Sequence, residues 1–124
     1  MPMHDAEASL PARARRLLET VPEAELPLTY QRLAEALALT PPRTIRRVAL
    51  ALEQLMREDA AAGRPFIAAL VVSRQGEGLP REGFFALALE LGRLPQDPAR
   101  HAEAWREEFR RAVDARDGHH HDPA

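Results

Sequence analysis

Ile45, Val48, Ala49, Leu52, Leu55 and Met56 recur at spacings of three and four, and this stripe constrains the chain more than any other feature. At about 100° per residue the six side chains fall within one sector of a helix, so a long helix with one buried flank must run through them. Gly63 ends it, being free to take the left-handed conformation past a last turn, and Pro65 forbids a simple continuation. Thr40 reads as the N-cap and Pro41 as the first helical residue, where its missing N–H costs nothing. With Ile45 at zero, Arg46 stands at about 100°, Leu50 at about 140°, Arg43 at about 160°, Gln54 at about 180° and Arg47 at about 200°. The arginines therefore face solvent or a partner.

A shorter helix precedes it, capped by Thr29, with Leu33, Ala34 and Leu37 as a narrow apolar face. Only Ala38 and Leu39 separate its expected end from Thr40, about the connection that a helix-turn-helix needs. Two packed helices of any small α-rich domain predict the same pattern. Charge placement favours a DNA-reading pair: between Thr40 and Leu52 there are three arginines and no acid, and they occupy the outer face.

The 124 residues, 45% of them hydrophobic, suffice for one domain with a modest core. We expect a flexible leader over residues 1–10, a single domain over 11–116 and a disordered His-rich tail over 117–124. No apolar run approaches the roughly 18 to 20 residues of a membrane span, and no basic region is followed by an apolar signal core, so a cytoplasmic protein without a membrane partner is expected. The absence of cysteine removes disulfides, thiol catalysis and thiolate metal sites. A net charge of −2 and a pI near 6.2 argue against indiscriminate coating of nucleic acid, although the field at a patch can differ from the net value. All seventeen basic residues are arginine. That choice suits bidentate phosphate and guanine contacts, yet GC-biased coding gives the same bias.

Along the chain, Pro11 opens a first helix through about Val21, with Ala14, Leu17, Leu18 and Val21 at helical spacing and Arg13, Arg15 and Arg16 on a solvated face. Leu28 can staple the helix that Thr29 caps. After Gly63, Phe66 to Val72 is an unbroken apolar run of seven residues, expected as a buried strand. Ser73 to Pro80, with Gly76 and Gly78, reads either as a wing carrying Arg74 and Arg81 towards a nucleic-acid backbone or as an ordinary surface loop. Phe84, Phe85, Leu87, Ala88, Leu89 and Leu91 predict a short, mostly buried helix closed by Gly92. Asp97-Pro98 opens a last helix with Ala102, Trp105, Phe109, Ala112 and Val113 as its stripe and Glu103, Glu107, Glu108, Arg110 and Arg111 outside it. Trp105 is then a packing anchor, or with Phe109 an exposed ridge suited to a homodimer.

Thr29 to Val72 resembles the DNA-binding domain of the alkylguanine-DNA alkyltransferases and the related alkyltransferase-like proteins. The family pattern T-Y-G-x-[IL]-A is similar to Thr29-Tyr30-Gln31-Arg32-Leu33-Ala34, R-A-V-G-x-A-[LM] to Arg46-Arg47-Val48-Ala49-Leu50-Ala51-Leu52, and H-R-V-V to Ala69-Leu70-Val71-Val72. The resemblance implies a winged helix-turn-helix in which Tyr30 approaches a phosphate beside an extruded nucleotide and Arg46 fills the vacated stack. The family's P-C-H-R nucleophile has no counterpart within Phe66 to Leu70, which excludes thiol alkyl transfer, and Gln31 and Ala49 replace glycines of the pattern.

No G-x-S-x-G, Walker loop, H-E-x-x-H or dinucleotide fingerprint occurs, and His4 and His101 have no evident partners in sequence. Three consecutive histidines at 119–121 lack the spacing that sets metal ligands on one rigid face. The expectation is a mostly α winged helix-turn-helix with a small β element and additional C-terminal helices, without enzymatic activity, cofactor or metal. It would bind double-stranded DNA through Tyr30, Arg43, Arg46, Arg47, Gln54, Arg74 and Arg81. The alternative is a protein-interaction module on the same scaffold, which Leu50 among the arginines supports unless the C-terminal helix covers it.

Overall fold

The structure is a computed structural model that describes residues 8–74 and 78–120, with side chains to Arg116. The glycine-rich tip at 75–77, most of the expected leader and the end of the tail, including His4 and His121, lie outside the described residues.

Among the described residues there are five α-helices, three 3₁₀ turns and two very short strands. Helix α1 spans Leu10–Thr20, and Ser9 caps it by accepting the Ala12 N–H on its hydroxyl at 3.2 Å. Strand β1 is Leu28–Thr29; Thr29 then accepts the Arg32 N–H at 3.0 Å and starts α2, Tyr30–Ala36. Helix α3 is Thr44–Ala62, β2 is Val71–Val72, α4 is Glu82–Glu90 and α5 is His101–His120, so α5 continues past the expected end of the domain at Arg116. The two strands pair in parallel, Leu28 with Val71 and Thr29 with Val72. A mostly helical fold with a small sheet is what the sequence predicts.

Two expectations are corrected. Thr40 and Pro41 do not start α3: residues 37–43 form an irregular connection with a cis Pro41-Pro42 bond and left-handed Ala38 and Arg43, both at φ 60°. The helix begins only after both prolines, because Pro42 pushes the residue before it out of helical conformation. The connection between α2 and α3 is thus longer than the expected two residues. The second correction concerns Phe66 to Val72, of which only the last two residues are strand; Ile67–Leu70 form a 3₁₀ turn. All seven are buried, with the turn packed against α1, α3 and α5, and among the described residues the only strand beside this segment is two residues long. Hydrophobic burial fixed the segment at the centre of the core, and the lack of a partner ladder kept it from extending.

Helix α5 closes the core from one side. The indole of Trp105 is buried and its Nε1 donates to the Ala69 carbonyl at 2.9 Å, so it is a packing anchor rather than an exposed ridge. His101 has partners after all: its ring stacks on Phe85 at 5.8 Å between centroids, and Nε2 lies 2.8 Å from the Pro95 carbonyl oxygen.

Candidate nucleic-acid interface

The first turn of α3 carries Arg46 and Arg47 outwards, as the helical wheel requires, and Arg43 stands just before it with a left-handed backbone. Arg43, Arg46 and Arg47 are all exposed. Among the described residues neither Arg43 nor Arg46 enters an ion pair. Arg47 is partly committed, since its Nη1 donates to the Thr40 carbonyl at 3.0 Å and fastens the α2–α3 connection. A carbonyl is a dipole, so the charge of Arg47 remains available to a phosphate. Gln54 is exposed on the same face but directs its Nε2 to Glu58 at 3.2 Å, beside a carboxylate that repels a phosphate. Leu50 stands uncovered on this face, 52% exposed, and α5 does not hide it.

A second group forms around the start of α2. Tyr30 is buried and its hydroxyl oxygen accepts the Arg81 backbone N–H at 3.1 Å, while the Arg81 guanidinium lies 5.7 Å from the centre of the ring. Gln31, the next residue, accepts from Arg74 Nη1 at 2.6 Å. Two consecutive residues of α2 therefore hold both arginines that flank the 74–81 loop. The loop is closed by the Ser73 N–H donating to the Leu79 carbonyl at 2.8 Å.

Tyr30, Gln31, Ser73, Arg74 and Arg81 line one open depression of about 540 Å³, and Ile45 from the first turn of α3 completes its wall. Ile45, expected in the core stripe, packs against the edge of the core and is half-buried where the two arginine groups meet. Behind the Tyr30–Arg81 pair lies a smaller pocket of about 100 Å³, walled by Leu52, Met56, Ala68 and Phe84, with Glu53 also in its lining. Ala68 presents a methyl group there, so the pocket contains no nucleophile on that wall. Burial pushes the Tyr30 hydroxyl above its ordinary value of 10.0, against the opposing pull of the Arg81 N–H and charge.

Among the described residues, Asp59, Glu108 and Arg116 are buried charges; this corrects the expectation that Glu108 lies outside the apolar stripe of the last helix, and the sequence reading singles out neither Asp59 nor Arg116. A signal existed: Asp59 falls at about 320° on the wheel that places Ile45 at zero, inside the apolar sector, and Arg116 falls about 20° from Trp105 on α5. A charge in the middle of an apolar stripe is a buried charge with partners to be found. Among the described residues there is no cluster of three or more metal-ligating side chains and no helix long and apolar enough to cross a membrane. No protein-family model matches the chain, and neither a curated protein nor a solved structure is significantly similar to it.

Proposed function

We propose that the chain is a non-enzymatic DNA-binding protein of winged-helix type that grips duplex DNA with the amino-terminal half of α3. The observation that carries this reading is the run of exposed, unneutralised guanidinium groups at Arg43 and Arg46, with Arg47 beside them and Arg74 and Arg81 across the depression that Ile45 borders. Phosphate recognition needs positive groups that are not already cancelled, set on rigid elements. The resemblance of Thr29 to Val72 to the alkyltransferase DNA-binding domain supports the same face, with Tyr30 and Arg46 in it, while Ala68 makes the role binding rather than alkyl transfer.

The test is fluorescence anisotropy with labelled duplex DNA at low salt, comparing the parent with a variant carrying Arg43→Gln and Arg46→Gln. Each lost phosphate contact should flatten the slope of log affinity against log salt by about 0.9, so the double variant binds more weakly and with less salt dependence. Parental affinity and slope in the double variant would defeat the proposal. A second reading, a protein-interaction module on this scaffold, is favoured by one observation, the exposure of Leu50 among the arginines. Leu50→Ser separates the two: it should leave DNA affinity near parental, whereas a protein-contact face would lose its self-association or its partner.

A further inference from the structure

We propose that a depression at the far end of α3 is a binding site for a small oxyanion, a phosphate or a carboxylate, separate from the DNA-gripping face. Ile45 and Asp59 are fourteen positions apart on one helix, which at 1.5 Å per residue sets the two regions about 21 Å apart.

The depression is about 150 Å³ and brings together three guanidinium groups from three segments: Arg15 on α1, Arg64 after α3 and Arg116 on α5. One fully buried carboxylate serves two of them. Asp59 Oδ1 lies 2.9 Å from Arg15 Nη2 and accepts from Arg64 Nε at 2.9 Å, while Oδ2 accepts the Ile67 N–H at 3.0 Å. Both oxygens of Asp59 are thus engaged before Arg116 is considered. Arg116 is only 7% exposed; its Nη1 donates to the Leu18 carbonyl at 2.6 Å, and its Nε, shut off from solvent, has no acceptor.

A buried cation is costly unless an opposite charge or a full set of acceptors compensates it. The Leu18 carbonyl supplies neither. Two further acids are close: Glu19 lines the depression itself and has a partner of its own, and Glu58 meets Arg15 at 3.3 Å and Gln54 at 3.2 Å. An anion of a few heavy atoms entering between Arg64 and Arg116 would bring the missing counter-charge, and guanidinium groups pair well with planar or tetrahedral oxyanions. Ala112 and Ala115 form the α5 wall, so the space near Arg116 is kept by small side chains.

The experiment is NMR-detected titration of the full chain with inorganic phosphate, and separately with acetate, against sodium chloride at matched ionic strength. Saturable shifts of amides around Arg15, Arg64 and Ala115 are expected with at least one of the two anions, and which anion saturates identifies the source. Arg116→Met keeps the apolar stem and removes the charge, and Arg64→Gln alters a half-exposed group while Arg15 still pairs with Asp59. Each should weaken anion affinity at least tenfold. The titration is repeated with saturating duplex DNA, which should leave the anion response intact. Non-saturating shifts shared by parent and variants, or abolition of the response by DNA, would overturn the proposal, and neither result bears on DNA binding by α3.

Discussion

Tyr30 is the only tyrosine in a chain that has neither lysine nor cysteine, so its alkaline titration can be read in isolation. Burial favours the neutral phenol in the folded protein, which raises its pKa above 10.0. The folded state then binds a proton that the unfolded state has lost, and stability must fall as pH rises. The contribution is fully present below pH 10 and is lost as pH climbs through the raised folded value. In the parent, phenolate absorbance should appear only above pH 10, and the urea midpoint should decline over the same interval. Tyr30→Phe should flatten that decline. Phenolate forming at pH 10.0 in the folded parent would contradict the burial argument. At this scale the sequence was legible for Arg46 and Arg47, whose outward positions follow from the helix period, but not for Arg116, which is buried. It was less so for Gln54 and Ile45, because a wheel angle says which way a side chain points but not which neighbour it meets.

Elements were most legible where local chemistry sets their ends. Ser9, Thr29 and Asp97 accept backbone N–H groups as their side chains require, and the glycine ends at Gly63 and Gly92 take φ of 71° and 80°. The same closing pattern ends α2 with a residue poorly suited to it. Leu39 N–H donates to the Ala34 carbonyl at 3.1 Å and Ala38 N–H to the Glu35 carbonyl at 2.9 Å, as Arg64 and Gly63 do with Asp59 and Ala60 at the end of α3. Ala38 thus sits at the left-handed position that glycine holds in α3 and α4. An L side chain there costs about 1–2 kcal/mol, and the greater freedom of unfolded glycine offsets part of it. Ala38→Gly should therefore stabilise the protein by roughly 0.5–1 kcal/mol in urea denaturation, without change in DNA affinity. Destabilisation would show that this end of α2 is not held as described. What the sequence concealed at this scale was non-local: an apolar run becomes strand only where another strand lies alongside, and β1, bounded by Pro27 and by the start of α2, offers two residues.

The whole molecule depends on α5 to hold the segment that underlies the proposed interface. Glu108, 7% exposed, accepts the Phe66 N–H at 2.7 Å and Arg93 Nη1 at 3.2 Å, and Arg111 meets its other oxygen at 3.2 Å. Arg93 in turn lies 4.5 Å from the centre of the Phe66 ring and donates to the Arg64 carbonyl at 2.7 Å. One carboxylate therefore ties α5 to both ends of the turn between α3 and the buried 66–72 segment, which leads into β2 and Arg74. Glu108→Ala leaves the buried Phe66 N–H without an acceptor and takes the carboxylate from Arg93, which keeps the Arg64 carbonyl, and should cost about 1–3 kcal/mol. Arg111 is 62% exposed at its side chain, so Arg111→Ala should cost no more than about 1 kcal/mol. Equal losses in chemical denaturation would mean that Glu108 is held by the surface arginine rather than by the core. Because Glu108 reaches Arg74 only through packed backbone, its removal should weaken DNA binding in proportion to lost folding, whereas Arg43 and Arg46 substitutions weaken it in a protein of parental stability. That separation distinguishes the residues proposed to touch the duplex from those that keep the face in place.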